Sequence, residues 1–126
     1  MSFSDHSRNR AIGQEGEENA TAVLQKQGFT ILKRNFTTPF GELDIVAEEK
    51  GCLVFVEVKF RSDFSYGYAG LAVNRRKQER IIKSAITYLK MNNIKNRNIR
   101  FDVFAMKGKE QEHIRNAFQP SKRYFL

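Results

Sequence analysis

Two short apolar runs on either side of a glycine constrain the fold of this chain more than any other feature. The runs cover residues 42–48 (ELDIVAE) and 52–60 (CLVFVEVKF), and a Lys-Gly pair at residues 50–51 lies between them. Alternating apolar residues that flank a glycine-containing turn are typical of an antiparallel β-hairpin. If the turn has two residues, residue i pairs with residue 101 − i across the hairpin.

The predicted pairing brings two acidic side chains face to face at the open end of the hairpin. Asp44 lies opposite Glu57, with about 4.5–5.5 Å between Cβ atoms, and the alternation of side chains puts Glu42 and Lys59 on the same face. The other face is uniformly apolar, which argues against a shift of the register by one residue. That face is formed by Leu43, Ile45, Ala47, Val54, Val56, Val58 and Phe60.

Two opposed carboxylates inside a sheet repel each other and are costly to desolvate. Lys59 offsets part of this cost, and a divalent cation between Asp44 and Glu57 would offset more. Carboxylate oxygens suit Mg²⁺, with Mn²⁺ as a second choice. Carboxylates, a metal ion and a lysine are together typical of a site that hydrolyses phosphodiester bonds. A structural salt-bridge network of Asp44, Lys59 and Glu57 is the alternative.

The rest of the chain predicts two helices and three further strands. The first helix covers residues 10–27 and ends before Gly28, and the second begins at an Asn74 cap and ends near Met91. The second helix is indicated by an apolar stripe at helical spacing, formed by Ile81, Ile82, Ala85, Ile86 and Leu89. The further strands are expected at residues 29–36, 99–106 and 113–118, and loops at residues 37–41 and 62–73. The resulting order, αβββαββ, predicts an α/β sandwich around a central mixed sheet.

Length and composition support one domain and exclude several classes of protein. The 126 residues, 40% of them hydrophobic, fill one core and leave no room for a second. We expect a flexible N-terminus at residues 1–10 and a single domain over residues 11–126. No apolar run approaches the roughly 18–20 residues of a membrane span, and residues 1–10 do not resemble a secretory signal. Cys52, the single cysteine, excludes an internal disulfide. A cytoplasmic protein with no membrane partner is expected.

Positive charge is concentrated in one segment of the chain. The net charge is +8, and residues 74–100 alone hold nine basic side chains and one acidic one, Glu79. The remaining 99 residues carry 13 basic and 13 acidic side chains, so their charges cancel. A localised excess of this kind is typical of a surface that binds a polyanion. An ordinary solvated helix face is the alternative.

Two further acidic residues have uncertain roles when judged from spacing alone. Glu17, on the first helix, could complete a metal site from above the sheet, but a solvent-facing glutamate stabilised by the helix dipole is favoured. Asp102, between Phe101 and Val103 in a predicted strand, is either a supporting acid near the site or a partner of Arg100.

Several motifs occur in order along nearly the whole chain. The motifs are Gly13-x-x-Gly16-Glu17, Gly28-Phe29, Arg34-Asn35-Phe36, residues 41–46 (GELDIV), residues 55–59 (FVEVK) with Arg61, Lys77, residues 99–103 (IRFDV), and residues 113–118 (HIRNAF). In this arrangement the chain resembles the YraN-like family of bacterial proteins. The resemblance implies the restriction-endonuclease-like PD-(D/E)XK fold and similarity to archaeal Holliday junction resolvases.

The resemblance also implies roles for individual residues. Asp44, Glu57 and Lys59 correspond to the PD-(D/E)XK triad, although Leu43 stands where the name of the motif has proline. Glu17 corresponds to the helix glutamate that joins the metal site in the resolvases, which raises the expectation for this residue. Lys77 and Gln78 fall where such nucleases often place a side chain that contacts phosphate or orders water.

The function expected from these observations is a metal-dependent nuclease that acts on DNA, with branched or recombination intermediates as substrates. Asp44, Glu57 and Glu17 would bind Mg²⁺ or Mn²⁺, and Lys59 would assist the nucleophilic water. The expected DNA contacts are Arg61, Arg75, Arg76, Lys77, Gln78, Arg80 and Lys83. Symmetric cleavage of a four-way junction requires two sites and so implies a homodimer. The alternatives are a nucleic-acid-binding protein that retains the fold without cleavage, and a subunit whose basic helix docks an acidic protein.

Overall fold

The computed structural model describes the backbone of residues 3–60 and 73–120 and the side chains of residues 15–60 and 73–120. The elements are α1 (Phe3–Lys26), β1 (Thr30–Thr38), β2 (Gly41–Glu49), β3 (Cys52–Phe60), α2 (Arg75–Met91), β4 (Asn98–Lys107) and β5 (Glu110–Phe118). This order is the predicted αβββαββ. Neither described helix is long and apolar enough to cross a membrane.

The five strands form one mixed sheet in the order β1-β2-β3-β4-β5. All neighbouring pairs are antiparallel except β3 and β4, which run parallel. A parallel pair needs a crossover connection, and α2 lies in the connection between these two strands. The predicted α/β domain with a central mixed sheet is therefore confirmed.

The hairpin of β2 and β3 has the predicted register. Its pairs run from Glu49 opposite Cys52 to Ile45 opposite Val56. The turn residues Lys50 and Gly51 have φ angles of 50° and 79°. Two positive φ angles are what a tight two-residue hairpin turn requires, so lysine adopts here a conformation that asparagine or glycine usually provides.

Leu43 lies on a different face from the one predicted. It belongs to the core beneath α2, whereas Ile45, two residues along β2, belongs to the core beneath α1. Their partners on β1, Phe36 and Arg34, flank Asn35, which has a left-handed φ of 53°. The regular alternation is thus interrupted between Leu43 and Ile45, and sequence periodicity cannot reveal such an interruption.

Each face of the sheet is covered by one helix. Beneath α1 the buried core contains Ala20, Leu24, Phe29, Ile45, Ala47, Val54, Val56, Val58, Phe104 and Met106. Beneath α2 it contains Leu43, Val46, Leu53, Phe55, Val73, Ile81, Ile82, Ala85, Tyr88, Phe101, Val103, Ala105, Ile114 and Phe118. The predicted apolar stripe of α2 is confirmed, with Ile86 and Leu89 packed at its edge.

Some element bounds differ from those predicted. The first helix begins at Phe3 rather than near residue 10. Residues 4–10 (SDHSRNR) contain no apolar side chain from which a helical pattern could be recognised. The flexibility of residues 1–10 stays a prediction. The loop expected at residues 37–41 contracts to a turn at residues 39–40, and β5 begins at Glu110, before its predicted start.

Candidate active site

A small cleft of about 240 Å³ opens where the pairing of β2 and β3 ends, against one side of α2. Its walls combine acidic side chains from the hairpin with basic side chains from the helix. The lining residues are Phe40, Gly41, Glu42, Asp44, Glu57, Lys77, Arg80, Ile81 and Ser84. The two opposed acids predicted from the hairpin register therefore border one cleft.

Asp44 is half-buried and directed towards β3. The backbone N–H of Val58 donates a hydrogen bond of 2.8 Å to Asp44 Oδ2. Burial, followed by the negative charge of Glu57, raises the pKa of Asp44 to about 8, and the hydrogen bond from Val58 only partly opposes this rise. A carboxylate in this environment is poorly stabilised when it is ionised, so a bound cation would stabilise it.

Glu57 is buried and paired with a lysine of α2. Lys77 Nζ lies 3.0 Å from Glu57 Oε1, and the glutamate is 7% exposed. Lys77 stands in the first turn of α2, where its backbone N–H donates to Oδ1 of Asn74, the predicted N-cap. The residue expected to contact phosphate thus contacts one of the two opposed acids.

Lys59 does not form the salt-bridge network that was considered as an alternative. Its register partner Ala105 belongs to the core beneath α2, so Lys59 and Glu57 share a face of the sheet, as predicted. Among the residues whose side chains are described, however, Lys59 forms no ion pair with Asp44 or Glu57. Lys77 takes the place of counter-ion because α2 packs directly over that face.

Glu17 reaches the acidic group from α1. One carboxylate oxygen from each of Glu17, Glu42 and Asp44 lies within 4.8 Å of the other two. Burial raises the pKa of Glu17, and the charges of Glu42 and Glu57 raise it further. The charge of Arg34 and the hydrogen bond from Asn35 oppose this rise. The solvent-facing position favoured from spacing alone is wrong, because Glu17 faces three other carboxylates.

Sequence reasoning did not assign two residues that lie beside Glu17, Arg34 and Asn35, to the site. Arg34 Nη2 lies 3.9 Å from Glu17 Oε2. In the amide orientation that satisfies both neighbours, Asn35 donates to Glu17 at 2.8 Å and to Glu42 at 3.0 Å. The hairpin pattern predicted that Glu42 lies beside Asp44, as it does, but nothing in the pattern of β1 fixed its register against β2. The roles of Arg34 and Asn35 therefore depend on tertiary pairing.

The chemistry of this donor set fits a divalent cation. Four carboxylates from α1, β2 and β3 converge, and they are opposed at close range by Lys77 and, at longer distance, by Arg34. Oxygen donors of this type, half-buried and in excess over their counter-ions, suit Mg²⁺ or Mn²⁺ rather than a soft metal.

Three of the predicted DNA-contacting residues lie at or beside the cleft. Lys77 and Arg80 line it. Lys83, one helical turn beyond Arg80, is exposed, and its ammonium lies 5.7 Å from the centroid of the Phe40 ring. The basic side of α2 is thus continuous with the acidic group.

The other predicted contacts have different positions. Arg75 and Arg76 are exposed at the start of α2 and do not line the cleft. Gln78 Nε2 donates to the carbonyl oxygen of Val73 at 2.9 Å, so its amide is engaged at the start of the helix. Arg61 lies outside the described residues.

Asp102 belongs to a separate buried network beneath α1. Its carboxylate accepts from Arg100 Nε at 2.8 Å and from the Asn116 N–H at 3.0 Å, and it lies 2.8 Å from His113 Nε2. Burial alone would raise the pKa of Asp102, but the hydrogen bonds from His113, Arg100 and Asn116 outweigh burial and lower it. The predicted pairing with Arg100 is confirmed, and no described contact joins Asp102 to the cleft.

Comparison with known proteins points to one family. A model of the uncharacterised protein family UPF0102 matches residues 16–106, a range that includes the four acids and both lysines of the site. A UPF0102 protein of Persephonella marina is 42% identical over 106 residues, which cover 84% of this chain and 91% of the relative. Those of Trichlorobacter lovleyi and Pelobacter propionicus are 47% and 50% identical, covering 87% and 88% of this chain and 91% and 84% of the relatives.

Proposed function

Because this chain belongs to the UPF0102 family, the YraN-like family that its motifs resemble, we propose that it is a metal-dependent nuclease of the PD-(D/E)XK fold. The proposed reaction is hydrolysis of DNA phosphodiester bonds, with branched DNA and recombination intermediates as the substrate class. The element order αβββαββ and the five-stranded mixed sheet are consistent with this fold.

The observation that carries the proposal is the convergence of Asp44, Glu57 and Glu17 beside a basic helix face. Acids that are buried or half-buried and repel one another make the free protein less stable, and such an arrangement is typical of sites that bind a cation. The opposite wall of the cleft carries Lys77 and Arg80, whose charges suit phosphate groups. A substrate phosphate in the cleft would thus lie between a cation site and positive side chains.

In this proposal Asp44, Glu57 and Glu17 hold Mg²⁺ or Mn²⁺ through carboxylate oxygens. The ion, when bound, would polarise the phosphate and lower the pKa of a water molecule. Lys59, on the same face as Glu57, orients the attacking water and stabilises the negative charge that develops on the phosphate. Asn35 and Arg34 have a positioning role, because their contacts hold Glu17 towards the cleft before a metal ion binds.

The basic residues of α2 supply the affinity for DNA in this proposal. Lys77, Arg80 and Lys83 lie along one side of the helix, next to the cleft. Contacts to phosphate release counter-ions, so DNA affinity should fall steeply with salt and depend little on base sequence. Cleavage of both strands at a junction would require two copies of the chain, and a homodimer is therefore part of the proposal.

The test is an incubation of the purified chain with labelled four-way junctions, flaps, duplexes and single strands, in Mg²⁺ or Mn²⁺ and in EDTA. We expect metal-dependent cuts that disappear in Glu57→Gln, since the neutral amide lacks the negative charge of the carboxylates through which Mg²⁺ is usually bound. DNA affinity, measured by fluorescence anisotropy in EDTA, should not fall, because Glu57 is an acid and supplies no positive charge for a phosphate.

Glu18→Gln is the matched control, because Glu18 is an exposed glutamate next to Glu17 on α1. This variant should cut like the wild type. Equal cutting by Glu57→Gln would overturn the catalytic assignment. Binding without cuts on every substrate would favour a nucleic-acid-binding protein that retains the fold.

A further inference from the structure

We propose that Lys77 is a displaceable counter-ion that couples cation binding to DNA binding at this site. In the metal-free protein Lys77 neutralises Glu57; when a divalent cation occupies the acidic group, Lys77 leaves Glu57 and binds a DNA phosphate. This inference rests on the proposed function, because it assumes that Glu57 is a metal ligand.

The first support is the position of the ammonium group. Lys77 Nζ lies 3.0 Å from Oε1 of Glu57, whose side chain is only 8% exposed. Lysine carries its charge as a compact ammonium, and at this distance it occupies the space beside the oxygen that a cation would need. An ammonium and a divalent cation repel each other, so both cannot remain at the same oxygen at low cost.

The second support is the difference between the backbone and the side chain of Lys77. The backbone is fixed, because its N–H donates to Oδ1 of the Asn74 cap at 2.9 Å. The side chain is 37% exposed and has a flexible four-carbon stem. The ammonium can therefore leave Glu57 and remain in the cleft without any movement of α2.

The third support is the surface that lies next to Lys77. Arg80 lines the same cleft one helical turn further along, and Lys83 follows it on the exposed side of α2. A released ammonium would join this row of positive groups. Cation binding would then add one phosphate contact to the DNA-binding surface, and phosphate binding would in turn favour the released position and so the cation.

The test begins with the metal alone, without DNA. Isothermal titration of the full chain with Mn²⁺ should show about tenfold tighter binding to Lys77→Met than to the wild type, since no ammonium has to be displaced. Removal of any nearby positive charge would strengthen cation binding to some extent. Arg80→Met is the matched control for this general effect, because Arg80 lines the cleft but forms no ion pair with a described carboxylate.

The control variant should change Mn²⁺ affinity by less than about threefold, in keeping with a charge that is exposed and screened. Lys77→Arg, which keeps a positive charge opposite Glu57, should bind Mn²⁺ with nearly wild-type affinity. Equal tightening in Lys77→Met and Arg80→Met would overturn the counter-ion role and leave the proposed function intact. Absence of Mn²⁺ binding in all four proteins would instead overturn the proposed function, and this inference with it.

A second readout concerns DNA and does not require cleavage. In the wild type, Ca²⁺, used in place of Mg²⁺ as an oxygen-binding probe, should steepen the dependence of DNA affinity on salt concentration by about one phosphate contact. In Lys77→Met the slope should be the same with Ca²⁺ and with EDTA. An equal change of slope in both proteins would show that Lys77 is not the group that moves.

Discussion

At the scale of single residues, a backbone hydrogen bond holds Asp44 in an environment that disfavours the ionised carboxylate. Its Oδ2 accepts from the Val58 N–H, and this hydrogen bond holds it beside Glu57 and Glu17. The contact stabilises the ionised form less than burial and the two neighbouring charges destabilise it. The net result is the rise of the pKa of Asp44 to about 8.

This raised pKa predicts how the stability of the metal-free protein depends on pH. The folded state holds the Asp44 proton up to about pH 8, whereas the unfolded chain releases it near the ordinary value of about 4. Folding therefore binds a proton between these values, and the free energy of unfolding falls as pH rises through that window. In EDTA, the free energy of unfolding should fall between pH 5 and pH 8 by about 1–3 kcal/mol less in Asp44→Asn than in the wild type, as measured by urea denaturation.

Saturating Mg²⁺ should reduce the fall in unfolding free energy between pH 5 and pH 8 in the wild type but not in Asp44→Asn. The comparison between the two proteins removes the contribution of the titrating groups that do not interact with Asp44. Parallel curves of unfolding free energy against pH in EDTA would contradict the raised pKa.

At the scale of elements, the contact between α1 and the end of β3 determines how closely the helix that carries Glu17 approaches the strand that carries Lys59. Gly16 is buried in α1 directly before Glu17, and Phe60 follows Lys59 at the end of β3. A Cβ atom placed on Gly16 would lie only 1.6 Å from Cζ of Phe60. The absence of a side chain at residue 16 therefore lets the helix approach the strand closely enough for Glu17 to reach the other acids.

A double-mutant cycle tests this close approach. Alanine stabilises a helix relative to glycine by about 1 kcal/mol. We nevertheless expect Gly16→Ala to destabilise the wild type, by up to about 2 kcal/mol after this gain is subtracted, because the Phe60 ring must move away from α1. In a Phe60→Ala background the same substitution should be stabilising, since the obstructing ring is gone. Thermal or urea unfolding of the four proteins measures the coupling. Additive effects would show that the ring and residue 16 do not compete for space.

At the scale of the whole molecule, the buried network around Asp102 links several parts of the fold. Arg100 bridges Asp102 on β4 and Glu49 on β2, and His113 on β5 contacts both Asp102 and Gln27, which follows α1. These strands are distant in the sequence, so the network joins elements that the chain does not connect directly. It lies beneath α1, apart from the cleft, and its role is structural.

Removal of Asp102 should lower stability and leave the affinity of the cleft for Mn²⁺ unchanged. Asp102→Ala leaves the Arg100 guanidinium and His113 without their buried acceptor, so the free energy of unfolding should fall by about 3–5 kcal/mol. The pKa of Asp102 is shifted in the direction opposite to that of Asp44, so its effect on the pH dependence of stability is also opposite. Its stabilising contribution is present above the ordinary aspartate pKa and is lost as pH falls through the lowered value.

Urea denaturation at pH 7 and pH 3 measures both effects. At a temperature where the variant is still folded, its Mn²⁺ affinity should equal that of the wild type. A large loss of Mn²⁺ affinity at full folding would connect this network to the cleft after all.

Whatever depends on short-range pattern could be predicted from the sequence. Alternation and turn composition predicted the hairpin register, and with it the pairing that brings Asp44 and Glu57 together. Helical periodicity and the Asn74 cap predicted α2. The position of Arg34 and the pairing of Lys77 with Glu57 could not be predicted in this way. They depend on the register of β1 and on the packing of α2, which arise only when distant segments meet.

The way in which Asp44 is held has a consequence for how this hairpin can vary in evolution and design. Its hydrogen-bond partner is a backbone N–H, a group that every amino acid except proline provides. The position of the carboxylate is therefore insensitive to the identity of the side chain at residue 58. Apolar residues of β3 can be exchanged for one another to change stability while the carboxylate stays beside Glu57 and Glu17.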